Sequence, residues 1–313
     1  MEKAVLRKLT LLCIIFGVAG IVLMGIMAFR DGKREWKEYQ TGYKELLLKK
    51  ISQERNPAFF ERVVNMKPEI KQVVVDDWSA VDRCQSCHLS IEDPLFADAA
   101  LPFRTHPYPE LLKKHPVEKY GCTICHGGQG VSTTYAGASH KAIEHWPAPM
   151  VSKALMQSRC GICHKDFQAI GADKLIKGRE LYKEMHCAGC HQIDGQGGAV
   201  GPDLSAFGDK DPGSFSYSNL EGPHSKQNWV MEHFKSPQKI SPGSPMYLPA
   251  MNSDQIEYLA SYVLSLSQHD FPRQYTPKVK ADFVPPRIDL IIPEIDLPAS
   301  TDNGEETNEG ASK

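Results

Sequence analysis

The chain has 313 residues, a formal net charge of −2 and 24% charged residues. No basic tract interrupts that near-neutral balance, which excludes a charge-built nucleic-acid surface and leaves no nucleic-acid partner to expect. The nine cysteines are informative by their placement.

Leu9 to Phe29 form an uncharged run of 21 residues. At about 1.5 Å per residue this covers a hydrocarbon core about 30 Å thick, so a transmembrane helix is predicted. A cleaved secretory signal is the alternative, but its apolar core lasts about 7 to 15 residues and ends at an Ala-x-Ala-like site. This run is longer and exits as Met27-Ala28-Phe29-Arg30, so an uncleaved anchor is expected. Lys3, Arg7 and Lys8 precede it while Arg30, Lys33 and Arg34 follow, so charge leaves the orientation open. Trp36, Tyr39, Tyr43, Leu47 and Ile51 then recur at steps of three or four, one face of an amphipathic helix reaching to about Arg55, before Pro57. Packing on the chain's own next domain is expected of that face, ahead of docking on a membrane partner. The valine-rich segment Ile70 to Val75 reads as a short strand or extended entry.

The pattern Cys-x-x-Cys-His follows four times, as Cys84–Cys87–His88, Cys122–Cys125–His126, Cys160–Cys163–His164 and Cys187–Cys190–His191. Each reads as one covalently attached c-type haem. Two thiols two residues apart add to the two vinyl groups of one porphyrin, and the next residue's imidazole reaches the iron. Eight of the nine cysteines sit in these motifs, and Cys13 lies in the apolar run. Zinc sites do not call for a histidine after every pair, and iron–sulfur clusters call for a third and fourth cysteine close by. Four haem c groups are therefore expected, with His88, His126, His164 and His191 as proximal ligands. Haem c is attached outside the bacterial cytoplasm. This settles the orientation: one pass through the cytoplasmic (inner) membrane, with roughly 280 residues on the periplasmic side.

The first cysteines at 84, 122 and 160 are spaced 38 apart. Their flanks are unlike, so the spacing reads as a packing period of three haems. This stretch is rich in Pro, Gly and His, and little regular secondary structure is expected where porphyrins supply much of the apolar core. Five further histidines precede the last motif: His106, His115, His140, His145 and His186. Three distal ligands are needed. His106 and His115 each precede proline, which restricts the backbone. With His140 they are the chosen set, and His145 and Met150 are held in reserve.

From Gly171 to Gln268 the pattern changes, with helices read at Lys174 to Tyr182 and Asp254 to Leu266, the latter capped by Ser253-Asp254. Between them Ser241-Pro-Gly-Ser-Pro-Met246 offers a constrained loop for a thioether ligand, so Met246 is the fourth distal candidate, with Met251 second. After Phe271 come repeated prolines and an acidic end, expected to be extended or disordered. The expected fold is mainly α with much irregular structure. It divides into an anchor (1–30), a helical stalk and linker (31–77), a trihaem domain (78–170), a monohaem domain (171–270) and a tail (271–313).

Two resemblances add to this. Residues 171 to 268 resemble a class I monohaem cytochrome c through Gly178, Tyr182, Gly201-Pro202-Asp203-Leu204, the Met246 loop, Ser253-Asp-Gln-Ile256, Tyr258 and Tyr262. The resemblance implies that Gly178 meets Tyr258 or Tyr262, that the Pro202 carbonyl orients His191, and that Trp229 approaches a propionate. The stretch from Trp78 to His164 resembles multihaem subunits of quinol-oxidising cytochrome b and Rieske-type respiratory complexes. Val81-Asp-Arg-Cys84, Phe103-Arg-Thr-His106-Pro, His115-Pro116, Gly121 to Gly130 and His145-Trp146 carry it. It implies a respiratory electron-transfer subunit more than an enzyme by itself, with membrane quinol-oxidising subunits as donors and a soluble periplasmic acceptor. Because His/His irons sit lower in potential than a His/Met iron, electrons are expected to run toward Met246. The alternatives are a multihaem nitrite or hydroxylamine reductase with an open haem site, and a direct quinol dehydrogenase.

Overall fold

The computed structural model describes residues 2–51, 53, 55–75, 80–140, 146, 148–168 and 170–269. Trp78, His145 and the 271–313 tail lie outside the described residues. The expected fold class is found: mainly helical, with a long apolar N-terminal helix and much irregular chain.

Helix α1 (Glu2–Gly32) contains the uncharged run, and its apolar side chains from Val5 to Phe29 are exposed along its length. Among the described residues it holds the one segment long and apolar enough to cross a membrane. At Arg34 the backbone turns extended, and α2 (Glu35–Lys50) begins with two acidic residues in its first turn, which suit the positive helix end. Its aromatic face is turned onto the chain's own domain, where Trp36, Tyr43 and Leu47 are buried. Tyr43 stacks on Phe96 at 5.2 Å between ring centres, in a small core with Leu47 and Val63. Buried Gln40 locks the packing: its amide donates to the carbonyls of Glu69 (2.6 Å) and Ser86 (3.0 Å) and accepts from Glu69 N–H (2.9 Å).

The stalk ends earlier than its periodicity predicts. Ile51 is already extended, and a separate helix α3 (Pro57–Val64) starts at Pro57. Proline's fixed φ and missing N–H suit a first helical turn, and the Asn56 side chain caps it by accepting from Phe59 N–H at 3.0 Å. Strands β1 (Val73–Val75) and β2 (Ala80–Asp82) pair antiparallel, Val73 opposite Asp82. Beyond them the first three motifs sit in irregular chain punctuated by α4 (Pro109–Lys114), α5 (Val117–Tyr120), α6 (Thr123–His126) and α7 (Ser158–Cys163). None exceeds six residues.

The C-terminal region is built differently. Helix α8 (Asp173–Glu184) crosses α11 (Ser253–Leu264), with the short ladder β3 (Gln192–Ile193) and β4 (Gln196–Gly197), then α9 (Lys226–Lys235) and α10 (Pro237–Ile240) between them. Leu175, Val230, Leu259 and Ala260 are all but sealed from water. A fully buried aliphatic side chain contributes about 1.5 to 3 kcal/mol. The crossing depends on Gly178, where a Cβ would lie 2.1 Å from the Tyr258 carbonyl oxygen and 2.7 Å from Tyr262 Cβ. The α11 cap differs from the expected Ser253-Asp254. Asn252 accepts from Gln255 N–H (2.9 Å) while Gln255 Oε1 accepts from Asn252 N–H (3.0 Å), so both donors are satisfied one residue earlier. Leu155 and Phe167 join the same core, so the third motif leans on the C-terminal helices.

Candidate functional site

The first two motifs are tied together by one carboxylate. Asp82, buried at the end of β2, accepts from Cys84 N–H (3.0 Å) through one oxygen and from Cys122 and Thr123 N–H (2.8 Å each) through the other. Burial pushes this carboxyl up, but the three backbone donors outweigh it and hold the group below its usual range. Gly121, at φ +63°, brings the second motif in this close, and a Cβ there would meet Asp82 at 3.0 Å. Asp82, Cys84 and Cys122 place ligand atoms within 4.8 Å of one another, a grouping open to a metal ion by distance alone. Both carboxylate oxygens are already engaged. The first cysteines of motifs one and two therefore stand side by side around a hydrogen-bonded staple.

The histidines form pairs. His88 faces His140 at 5.9 Å between ring centres, His126 faces His106 at 6.2 Å, and His164 faces His115 at 6.1 Å. An imidazole nitrogen sits about 2 Å from a metal it binds and roughly 1 Å from its ring centre, so two rings flanking one ion stand about 6 Å apart. All three chosen distal candidates thus face a motif histidine at a spacing that fits an iron between them. The assignment is not sequential: His140 reaches back to the first motif, whereas His106 and His115 reach forward to the second and third.

Hydrogen bonds orient the rings. Nδ1 of His88 lies 3.1 Å from the Pro102 carbonyl and Nδ1 of His115 3.1 Å from Leu111 O, whereas Nδ1 of His106 meets both the Tyr108 carbonyl (3.2 Å) and the Tyr108 N–H, which donates to it at 3.1 Å. A proton on Nδ1 directed at a carbonyl leaves the Nε2 lone pair for a metal, the usual arrangement of a ligating histidine. Burial first, and then the facing imidazole, hold His88, His126 and His164 below the usual imidazole range. Burial does the same to His140. These side chains fit haem c: paired thiols for its vinyl groups and a facing pair of imidazoles that would hold its iron.

The fourth motif lies between α8 and β3. Nδ1 of His191 is 2.9 Å from the Pro202 carbonyl, the placement the resemblance implied. Met246 and Met251 are partly buried against the C-terminal core. One imidazole absent from the sequence reading stands beside Met246: His233 on α9, with Nε2 3.3 Å from the Met246 sulfur. Burial first, then His191, pushes His233 down to about 4, so it is neutral at pH 7. Its signal in the sequence is the step of four from Trp229, which puts both rings on one helix face. Trp229's indole N–H donates to the Ser216 carbonyl at 3.0 Å. Of the reserves, Met150 pairs in an isolated bridge with Gly127; the unchosen His186 is exposed just before the fourth motif.

Residues 175–267 match the cytochrome c family model. Cytochrome c oxidase subunit 2 of Alkalihalophilus pseudofirmus is 30% identical over 92 residues, which are 29% of this chain and 25% of that protein. No solved structure matches. The C-terminal region is a cytochrome c domain, a unit that binds haem c covalently and transfers electrons.

Proposed function

We propose that this chain is a membrane-anchored tetrahaem cytochrome c. In this reading it takes electrons from a membrane quinol-oxidising complex with cytochrome b or Rieske-type subunits and delivers them to a soluble periplasmic acceptor. The observation that carries it is the set of three histidine pairs at 5.9, 6.2 and 6.1 Å, one for each upstream motif. Haem c, when bound, supplies a one-electron iron couple.

The chain's residues do the rest. Cys84, Cys87, Cys122, Cys125, Cys160, Cys163, Cys187 and Cys190 tether. His88, His126, His164 and His191 would be the proximal ligands, and His140, His106, His115 and Met246 would be their distal partners. Paired imidazoles favour a lower potential than imidazole with thioether. Residues 84–164 are therefore the entry and 187–246 the exit. Helix α1 holds the whole at the membrane, and with two protein ligands offered to each iron none would be left open for a substrate.

Purification in mild detergent from native membranes, with the companion subunits identified, tests this reading. A co-purifying cytochrome b or iron–sulfur subunit is expected. A lone chain that reduces nitrite or hydroxylamine, or that oxidises a quinol unaided, contradicts it.

A further inference from the structure

His233 is placed as a ligand is placed, yet the fourth site already has Met246. Its ring stacks on Trp229 with 4.5 Å between centres and 10° between planes. Trp229 is pinned in turn by Ser216 and packs edge-on against Phe215 at 5.0 Å. The imidazole is thus clamped on a helix. Its Nε2 points at the Met246 sulfur, 3.3 Å away, and its Nδ1 is buried with no hydrogen-bond partner among the described residues. Met246 is differently held, on a proline-bordered loop fixed by its own N–H to Ser244 Oγ (3.2 Å) and by Gln238, whose side chain donates to its carbonyl. A fixed nitrogen and a loop-borne sulfur therefore converge on one place.

We propose that His233 is a second distal ligand of the fourth iron, held in reserve beside Met246 and taking its position when the sulfur leaves. This rests on the reading of His191 and Met246 as the axial pair. The exchange breaks one iron–sulfur bond and forms one iron–nitrogen bond, with no electron transferred. The proton on Nε2 moves to Nδ1, the nitrogen the fold leaves without a partner. A neutral imidazole favours the ferric iron and a thioether the ferrous, so the exchange converts an exit site of high potential into one resembling the other three.

The test uses the full-length, detergent-solubilised protein as wild type, Met246→Ala, Met246→Leu, His233→Ala and the double variant Met246→Ala/His233→Ala. Covalent haem per chain is read by mass, spin state by electron paramagnetic resonance, and carbon monoxide uptake after reduction. Both Met246 variants are expected to keep four low-spin haems and take up almost no carbon monoxide, with the fourth potential shifted down. The double variant is expected to bind one carbon monoxide per chain. His233→Ala alone is expected to keep the sulfur-to-iron charge-transfer band. Met246→Leu, which preserves side-chain volume, guards against misfolding of the alanine variant. A Met246 variant with four haems that turns high-spin and binds one carbon monoxide overturns this inference alone. A wild-type chain lacking haem on Cys187 and Cys190 overturns the axial-pair reading with it.

Discussion

Two ways of building a protein interior meet in this chain. Among the described residues from Cys84 to His164 no helix exceeds six residues, and three pairs of histidines face each other. From Gly171 to Gln268 a sealed apolar core of Leu175, Val230, Leu259 and Ala260 holds α8, α9 and α11 together. The first region brings distant segments together through facing histidines and the Asp82 staple beside a small apolar core at Phe96, the second through packing. The difference teaches where each is vulnerable: loss of a cofactor should unravel the first, and loss of a close fit the second.

The largest effect is expected from Cys122→Ser/Cys125→Ser. The second motif shares the Asp82 staple with the first and faces His106, so removing its attachment should lower covalent haem per chain from four to three or fewer and expose residues 84–164 to protease. Loss of one haem with unchanged protease resistance would break the contrast, because the segment would then be holding itself together by packing. In the C-terminal region Gly178→Val drives a side chain into the Tyr258 carbonyl. Overpacking of this kind costs about 3 kcal/mol, lowering Tm by roughly 6 to 12 °C in calorimetry. The upstream haem count should stay at three.

Asp82→Asn probes the staple more gently. Removing the charge and one acceptor leaves backbone donors poorly satisfied, at about 1 to 3 kcal/mol. Because the native carboxyl is held below its unfolded value, near 3.9, its contribution is present at neutral pH and disappears as pH falls below about 4. Acid titration of the wild type should therefore show a stability loss that Asp82→Asn lacks. The smallest effect is expected at the 2.9 Å ion pair between Lys174 and Glu257, which joins α8 to α11 at a partly exposed position. Glu257→Gln should cost under about 1 kcal/mol and less in high salt.

Much of the C-terminal fold was legible in the sequence, because apolar periodicity, caps and a close-approach glycine act over a few residues. Even there, Asn252 replaced the expected cap, since Gln255 three residues on completes a reciprocal pair. The stalk was legible as an amphipathic face but not in length, because Ile51 continues the spacing while its own backbone is already extended. The histidine candidates were legible as residue types, but which faces which was not. His140 and His88 are 52 positions apart, and no local rule links them. His233 went unread because its meaning comes from Met246, 13 residues away across a loop.

A mediated redox titration of the full-length protein, followed by optical spectra and repeated on Met246→Leu, tests the central claim most directly. Three haems should titrate together at lower potential and one clearly above them, with only that one shifting downward in the variant. A wild-type protein in which the haem on Cys187 and Cys190 titrates below the other three would contradict the account.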